Sequence, residues 1–185
     1  MTRRVGRTGE PRVATPASRN ELWGRIMCAH GAALRRVAAS YERDPSRRED
    51  LFQDICLAVW RALPGFRGEA SARTFVFRIA HNRGLSHGWN QGRRRSEDLD
   101  SAGALLDPAP GPEELVSEGQ RRALLVDAVR SLPVGLRQVV VLALEGLSHR
   151  DIAEVVGITE NNVAVRLTRA RRALKQRLTE RGAVR

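Results

Sequence analysis

The stretch LSHRDIAEVVGITENNVAVRLTRARRAL, residues 147–174, decides the architecture of the C-terminal half of the chain. Ser148 stands three residues before Asp151, which is the spacing of a capping box at the start of a helix. Gly157 lies where the chain must turn and where a positive φ is expected, and Thr159 is suited to cap the helix that follows. The stretch predicts a helix-turn-helix, a unit that presents its second helix to the major groove of DNA.

The second helix of this unit combines a buried stripe with a polar N-terminal face. Apolar residues recur at intervals of four, three and four positions, at Val163, Leu167, Ala170 and Leu174. Near the exposed start, Asn and Arg side chains can make paired hydrogen bonds with base edges, and later arginines suit phosphates. The candidate DNA-contacting residues are Asn161, Asn162, Arg166 and Arg169. The alternative is a helical hairpin with a solvated basic face, but the joint fit of cap, glycine and apolar spacing favours DNA binding.

Charge composition favours an anionic partner. The 185 residues include 32 Lys and Arg against 21 Asp and Glu, a net charge of +11. Such a surplus favours a polyanion, although a genome rich in arginine codons has the same effect, since Lys175 is the only lysine. Residues 96–118 hold seven acidic residues and no Lys or Arg, whereas residues 166–185 hold eight basic residues and one acidic residue. The two segments therefore cannot perform the same electrostatic role.

Helical periodicity runs through both halves of the chain, and no strand-like alternation persists. The predicted helices cover about residues 20–39, 48–63, 72–89, 112–131, 134–145, 148–156 and 159–178. Between the halves, the acidic segment contains DPAPGP and is too polar and proline-rich to pack. The fold class is therefore all-α: two small helical domains, residues 19–95 and 113–178, joined by a flexible acidic linker at 96–112. A flexible basic arm (1–18) and a basic tail (179–185) flank them.

The predicted helix over residues 48–63 has a complete buried stripe and a second, outer face. The stripe consists of Leu51, Phe52, Ile55, Cys56, Val59 and Leu63. Asp50, Gln53, Asp54 and Leu57 share the outer face. A solvated face is the simpler interpretation, but an exposed leucine ringed by polar groups is typical of a protein interface.

Features of enzymes, metal sites and membrane proteins are scarce. The histidines are scattered, and no phosphate loop or nucleophile–base arrangement occurs, so no catalysis, cofactor or metal is expected. Cys28 and Cys56 form no CxxC pair, and each is expected to be a small buried residue. The longest strictly apolar run, residues 139–144, is far shorter than the roughly 20 residues that span a membrane. Without an apolar leader segment, a cytoplasmic protein with no membrane insertion is expected.

Both halves resemble the extracytoplasmic-function branch of the bacterial sigma-70 family. SLPVGLRQVVVLALEGLSHRDIAEVVGITENNVAVRLTRARRAL, residues 131–174, is similar to region 4 of that family, with its Leu-Pro opening and its Val-Arg-Leu-x-Arg-Ala-Arg run. REDLFQDICLAVWRALPGFRGEASARTFVFRIAHN, residues 48–82, is similar to region 2, with its Asp-Leu-x-Gln-Asp run, Phe-Arg-Gly loop and Arg-Ile-Ala-x-Asn end. The resemblance covers about residues 20–178.

The resemblance implies a sigma factor that binds core RNA polymerase and recognises and melts promoter DNA. It assigns to the polymerase clamp the face of Asp50, Gln53, Asp54 and Leu57. It assigns to the −10 element a base-capturing loop (Phe66, Arg67, Gly68, Glu69) and a strand-lining helix (Arg73, Arg78, Asn82). It assigns to the −35 element Asn161, Asn162, Arg166 and Arg169. The implied partners are core polymerase, double-stranded promoter DNA, the melted non-template strand and an anti-sigma protein.

Several positions depart from the family pattern. Phe75 and Val76 stand where the family usually has Trp-Leu. Ser86 and Trp89 stand near positions that often hold Asp and Arg, and Ala164 replaces a common Lys. These departures bear on the promoter sequence rather than on the fold.

A one-component helix-turn-helix regulator is the alternative function. Such a protein needs a ligand pocket or a dimerisation helix in its first half. The pattern of charged residues beside an apolar core in that half disfavours both.

Overall fold

Every regular element in residues 16–68, 70–97 and 118–180, the parts of the chain that this computed structural model describes, is a helix. The N-terminal half contains α1 (Pro16–Tyr41), α2 (Pro45–Ala62) with a following 3-10 turn (Leu63–Gly65), and α3 (Ala72–Glu97). The C-terminal half contains α4 (Glu118–Arg130), α5 (Val134–Leu144), α6 (His149–Val156) and α7 (Glu160–Glu180). The predicted all-α architecture is confirmed. The expected arm up to residue 15, the linker from residue 98 and the tail from residue 181 lie outside the described residues.

Two helices of the N-terminal half are longer than the sequence periodicity predicts. α1 begins at Pro16, within the expected arm, because proline is tolerated in a first turn where its missing N–H has no intrahelical partner. α3 continues to Glu97 instead of ending near residue 89. The QGRRRS segment that it absorbs contains no proline, and Arg and Gln are good helix formers. The first two residues of the expected linker are therefore helical.

The turn between α1 and α2 is fixed by a side-chain cap. Asp44 has an extended backbone, and its carboxylate accepts a hydrogen bond from the backbone N–H of Arg47 at 2.9 Å. Pro45 occupies the first turn of α2, where its fixed φ favours the helix. The chain therefore reverses sharply, and α2 packs back against α1 and α3.

The core of the N-terminal half lies among α1, α2 and α3. The predicted stripe of α2 is buried, with the exception of Cys56, which is half-buried at its edge: Leu51, Phe52, Ile55, Val59 and Leu63. α3 contributes Val76, Phe77 and Ala80 to the same core. Trp23 and Trp60 meet edge to face at the side of the core, with ring centroids 5.7 Å apart.

The expected burial of both cysteines is wrong for Cys28, which lies on the exposed surface of α1. Ile26, two positions earlier, is almost completely buried. Two helical positions correspond to a rotation of about 200°, which carries Cys28 to the opposite side of the helix. Its sequence surroundings are apolar, but its helical phase places it in solvent.

The C-terminal half packs against the N-terminal half. Its own core is centred on α5, whose Val139 and Leu142 are fully buried and face α6 and α7. α6 lies against α3, and α4 and α5 contact the C-terminal part of α1. The helices that the sequence assigns to separate domains therefore share an extensive boundary in this structure.

A buried histidine connects α1 and α3. His81 is 1% exposed, and its Nδ1 lies 2.8 Å from the hydroxyl of Tyr41. Burial lowers the pKa of His81 to about 3, so its imidazole is neutral throughout the physiological range. Gly84, one turn along α3, lies directly beneath the Tyr41 ring, where a Cβ atom would overlap the ring carbons. The absence of a side chain at Gly84 therefore allows the two helices to approach closely.

Gly84→Ala should destabilise the protein by about 1–3 kcal/mol, because the added methyl group displaces the Tyr41 ring from a packed boundary. Gly88→Ala is the matched control, since a Cβ there meets nothing within 4 Å. Alanine has the higher helix propensity, so the control should gain up to about 1 kcal/mol. Urea unfolding followed by circular dichroism measures both changes, and equal effects of the two substitutions would contradict this account of the α1–α3 contact.

Candidate nucleic-acid and protein interfaces

The helix-turn-helix predicted from residues 147–174 is formed by α6 and α7. The Ser148 hydroxyl accepts the Asp151 N–H at 3.1 Å, and the Asp151 carboxylate accepts the Ser148 N–H at 3.3 Å, which completes the capping box. Gly157 ends α6 in the left-handed region, with φ 74°. The hydroxyl of Thr159 accepts the backbone N–H of Asn162 at 3.3 Å and caps α7. The local predictions for this unit are confirmed.

The polar residues at the start of α7 are available to a ligand. Asn161, Asn162 and Arg169 are exposed, whereas Val163 and Leu167 are buried against the rest of the C-terminal half. Arg166 is half-buried, and its Nη1 lies 3.2 Å from the position that a Cβ on Gly135 would take. The Arg166 guanidinium thus lies along the first turn of α5, while its three companions face solvent.

The loop after α2 presents an arginine beside an aromatic pair. Phe66 is half-buried, and its ring centroid lies 4.8 Å from that of Phe75 on α3. Arg67 and Gly68 are exposed, and Gly68 has φ 76°, which favours glycine. Glu69, the fourth predicted residue of this loop, lies outside the described residues. The Phe66–Phe75 contact anchors the loop to α3.

The three predicted DNA residues of α3 are in different environments. Arg73 donates to the backbone carbonyls of Glu145 and Gly146. Arg78 donates to the carboxylate of Glu154 at 2.9 Å and to its carbonyl at 3.1 Å. Asn82 is exposed. Arg73 and Arg78 are therefore both hydrogen-bonded to the C-terminal half of the chain in this structure.

Trp89 is a surface aromatic residue whose role the sequence pattern left open. Its side chain is 77% exposed, the largest value among the exposed large apolar residues described. It follows Arg78 by eleven positions, about three helical turns, so it lies on the same side of α3 as Arg78 and Asn82. Apolar residues exposed singly are normal on protein surfaces, so the signal at Trp89 is its position beside Arg78 and Asn82 together with its departure from the family pattern.

The outer face of α2 is exposed as predicted. Asp50, Gln53, Asp54 and Leu57 all lie in solvent, and Leu57 is 44% exposed. The neighbouring buried positions, Leu51 and Ile55, point into the core. A single helix therefore offers a leucine surrounded by two carboxylates and an amide.

The described part of the chain contains no cluster of three or more His, Cys, Asp or Glu side chains that could hold a metal ion. None of its helices combines the length and the apolar character that a membrane span requires.

Family comparisons cover both halves of the chain. Residues 27–94 match the family model for sigma-70 region 2, and residues 122–174 match that for sigma-70 region 4. The chain is 31% identical over 170 residues to the RNA polymerase sigma factor CnrH of Cupriavidus metallidurans, covering 87% of this chain and 89% of that protein. It is 32% identical over 139 residues to the ECF RNA polymerase sigma-E factor of Escherichia coli, covering 70% and 72% of the two chains.

Two solved structures share the fold. One is CnrH in complex with the cytosolic domain of CnrY, with a TM-score of 0.63, 25% identity, and coverage of 87% of this chain and 90% of that chain. The other is the sigma factor RpoE in complex with the anti-sigma factor NepR from Bartonella quintana, with a TM-score of 0.70, 22% identity, and coverage of 86% and 98%. The chain belongs to the extracytoplasmic-function branch of the sigma-70 family and is a sigma factor for transcription initiation.

Proposed function

We propose that this sigma factor binds core RNA polymerase through α2, melts the −10 element with the following loop and α3, and reads the −35 element with α7. The observation that carries the proposal is the capped helix-turn-helix, whose α7 begins with the exposed amides of Asn161 and Asn162. Residues 19–95 then act as the region 2 unit and residues 113–178 as the region 4 unit. The family consists of non-enzymatic transcription factors, so polymerase supplies the chemistry, and we expect the protein to act in the cytoplasm.

The α2 surface is the polymerase-binding part of the proposal. Leu57 lies one helical turn after Gln53 and Asp54 and is 44% exposed, so burying its remaining exposed surface on binding contributes about 1 kcal/mol. The carboxylates of Asp50 and Asp54 give this surface a negative charge within a protein of net charge +11. A basic partner surface with an apolar centre is the complement that these groups fit.

The −10 part of the proposal depends on stacking and on charge. Arg67 is exposed next to the Phe66–Phe75 pair, and Arg78, Asn82 and Trp89 follow one side of α3. Splayed bases are stabilised by aromatic faces and by guanidinium planes. We assign Trp89 to this surface in addition to the residues that the sequence motif indicates.

An anti-sigma protein is the proposed regulatory partner. Both structural neighbours were solved as complexes, one with the cytosolic domain of CnrY and one with the anti-sigma factor NepR. The alternative function, a one-component regulator, has no supporting observation, because the sigma regions 2 and 4 account for both halves of the chain.

The double substitution Asp54→Arg with Leu57→Ala should weaken binding to core polymerase by at least about 2 kcal/mol, because it removes the apolar centre and reverses an adjacent charge. Glu21→Arg with Leu125→Ala is the matched control, since both of these residues are exposed outside α2. Titration of core polymerase by fluorescence anisotropy measures the affinity. Wild-type affinity of the α2 variant would refute the assignment of this face.

Arg166→Ala and Asn162→Ala should each cost about 1–3 kcal/mol of promoter affinity and relax sequence preference at the −35 element. Lys175→Ala, later on α7, is the control: a phosphate contact should weaken binding uniformly across sequences. Promoters for the titration come from genomic run-off transcription with core polymerase and this protein. Because Arg166 is half-buried, the thermal unfolding temperatures of the variants and the wild type are compared first, to establish that the variants are folded. An unchanged −35 footprint in folded Arg166 and Asn162 variants would exclude these roles.

Trp89→Ala should slow promoter opening and destabilise the open complex by about 1–3 kcal/mol, the value of one base stacked on an aromatic ring. Trp89→Tyr retains an aromatic face and should therefore keep most of the wild-type opening rate and open-complex stability. 2-Aminopurine fluorescence within the −10 element reports opening, and core-polymerase affinity serves as the internal control. If alanine and tyrosine behave alike, Trp89 does not act by stacking.

A further inference from the structure

The outward side of α7 has an apolar residue at its centre, Val165. Val163 and Leu167 are 0% and 4% exposed, and each stands two positions from Val165 in the sequence. Two helical positions correspond to a rotation of about 200°. Val165 therefore lies on nearly the opposite side of the helix from the core of the C-terminal half, and it is 42% exposed.

Polar side chains lie one helical turn from Val165 in both directions. Asn161 and Asn162 precede it by four and three positions. Thr168 and Arg169 follow it by three and four positions, and all four residues are exposed. Residues at these spacings share one face of a helix. The recognition face, which the second helix of a helix-turn-helix presents to the major groove, thus consists of Asn161, Asn162, Val165, Thr168 and Arg169.

Thr168 adds to the apolar character at the middle of the recognition face. Its hydroxyl donates a hydrogen bond to the carbonyl of Ala164, one turn earlier, at 3.0 Å. Threonine side chains in helices can satisfy their hydroxyl in this way. The hydroxyl proton is therefore not available to a base edge. Thr168 brings a methyl group to the turn that follows Val165.

The position of Val165, rather than its exposure, is what requires an explanation. Apolar residues exposed singly are normal on protein surfaces. Valine has a lower helix propensity than alanine, because its branched Cβ restricts rotation about χ1. An exposed valine therefore adds little to the stability of α7. On a binding face the same restriction is useful, since a side chain already confined to one rotamer loses little freedom when a ligand binds.

The major groove of DNA offers a valine side chain one kind of apolar partner. Base edges there present hydrogen-bond donors and acceptors, and the C5-methyl group of thymine is the one apolar substituent among them. A valine packed against a donor or acceptor removes that group from water without replacing its hydrogen bond, which is unfavourable. A valine packed against the thymine methyl group removes apolar surface of both partners from water.

We propose that Val165 selects a thymine in the −35 element by packing against its C5-methyl group, with the methyl group of Thr168 beside it. The amides of Asn161 and Asn162 and the guanidinium of Arg169 fix the register through hydrogen bonds to neighbouring bases and phosphates. The contact requires an A·T pair at one position of the element. The proposal rests on the assignment of α7 to the −35 element in the function proposed above.

Replacement of thymine by deoxyuridine tests this contact, because it removes the C5-methyl group and keeps the hydrogen-bonding groups of the base. Thymines on either strand of a −35 element, identified by run-off transcription and footprinting, are replaced one at a time. The fluorescein-labelled duplex ends before the −10 element, so melting does not contribute. Anisotropy measures its affinity for holoenzyme formed from core polymerase and the full chain. One replacement should weaken wild-type binding roughly fourfold, which corresponds to about 0.8 kcal/mol for one buried methyl-sized group.

Val165→Ala should lose most of this difference between the thymine and deoxyuridine duplexes, because it lacks the methyl groups that contact the base. Alanine is the better helix former, so the variant should fold, and circular dichroism checks this. Val134→Ala is the matched control: Val134 is 44% exposed, lies at the start of α5, and loses the same atoms. The control should keep the full difference. Thr168→Ser removes only the γ-methyl group and should reduce the difference in part.

Three results overturn the proposal: no deoxyuridine replacement weakens wild-type binding, the difference persists in Val165→Ala, or the −35 element contains no A·T pair. A duplex with a scrambled −35 element separates these results from a failure of the proposed function. If the wild-type holoenzyme prefers the intact element but ignores deoxyuridine, only the Val165 contact fails. If it binds the intact and scrambled duplexes equally, α7 does not read the −35 element, and the assignment of Val165 fails with that function.

Discussion

Hydrogen bonds from arginine side chains to oxygen acceptors hold the two halves of this protein together. Arg36, Arg73 and Arg78 reach from the N-terminal half to oxygens of α5 and α6, and Arg130 and Arg137 reach back to the end of α1. Arginine suits this role because its planar guanidinium presents several donors in a fixed fork and is weakly hydrated compared with an ammonium group. DNA offers the same acceptors, so interdomain packing and DNA binding use the same chemistry.

The parts of the fold that the sequence predicts are those whose information is local. The helix-turn-helix depends on a cap three residues from its partner, a glycine at the turn and a second cap, all within about a dozen residues, and Ser148, Gly157 and Thr159 behave as predicted. The exposed face of α2 follows from helical phase alone, which also places Asp54 and Leu57 in solvent. Local hydrogen bonds and periodicity leave few alternatives for such segments.

The parts that the sequence could not predict depend on partners distant in the chain. Arg36 and Glu145 are 109 positions apart, and Arg78 and Glu154 are 76 apart. Nothing in the residues around Glu145 distinguishes it from a solvated glutamate at a helix end. The end of α3 was predicted wrongly for a different reason: the helix continues through the basic segment, which contains no proline, although the apolar pattern of the sequence has already faded. Cys28 shows that an apolar neighbourhood in sequence does not decide which side of a helix a residue occupies.

The departures from the family pattern fall into two groups, one that packs in the core and one that lies on the surface. Phe75 packs against Phe66 and supports the loop after α2, while Val76 is completely buried, so both preserve the fold with different side chains. Ser86 and Trp89 lie on the exposed surface of α3, where their side chains change what the helix touches without disturbing the core. An exposed tryptophan supplies a stacking surface in place of the charge that is common near that position. The chain therefore keeps a packed core at Phe75 and Val76 and changes the exposed surface of α3, which is the surface that we propose to contact melted DNA.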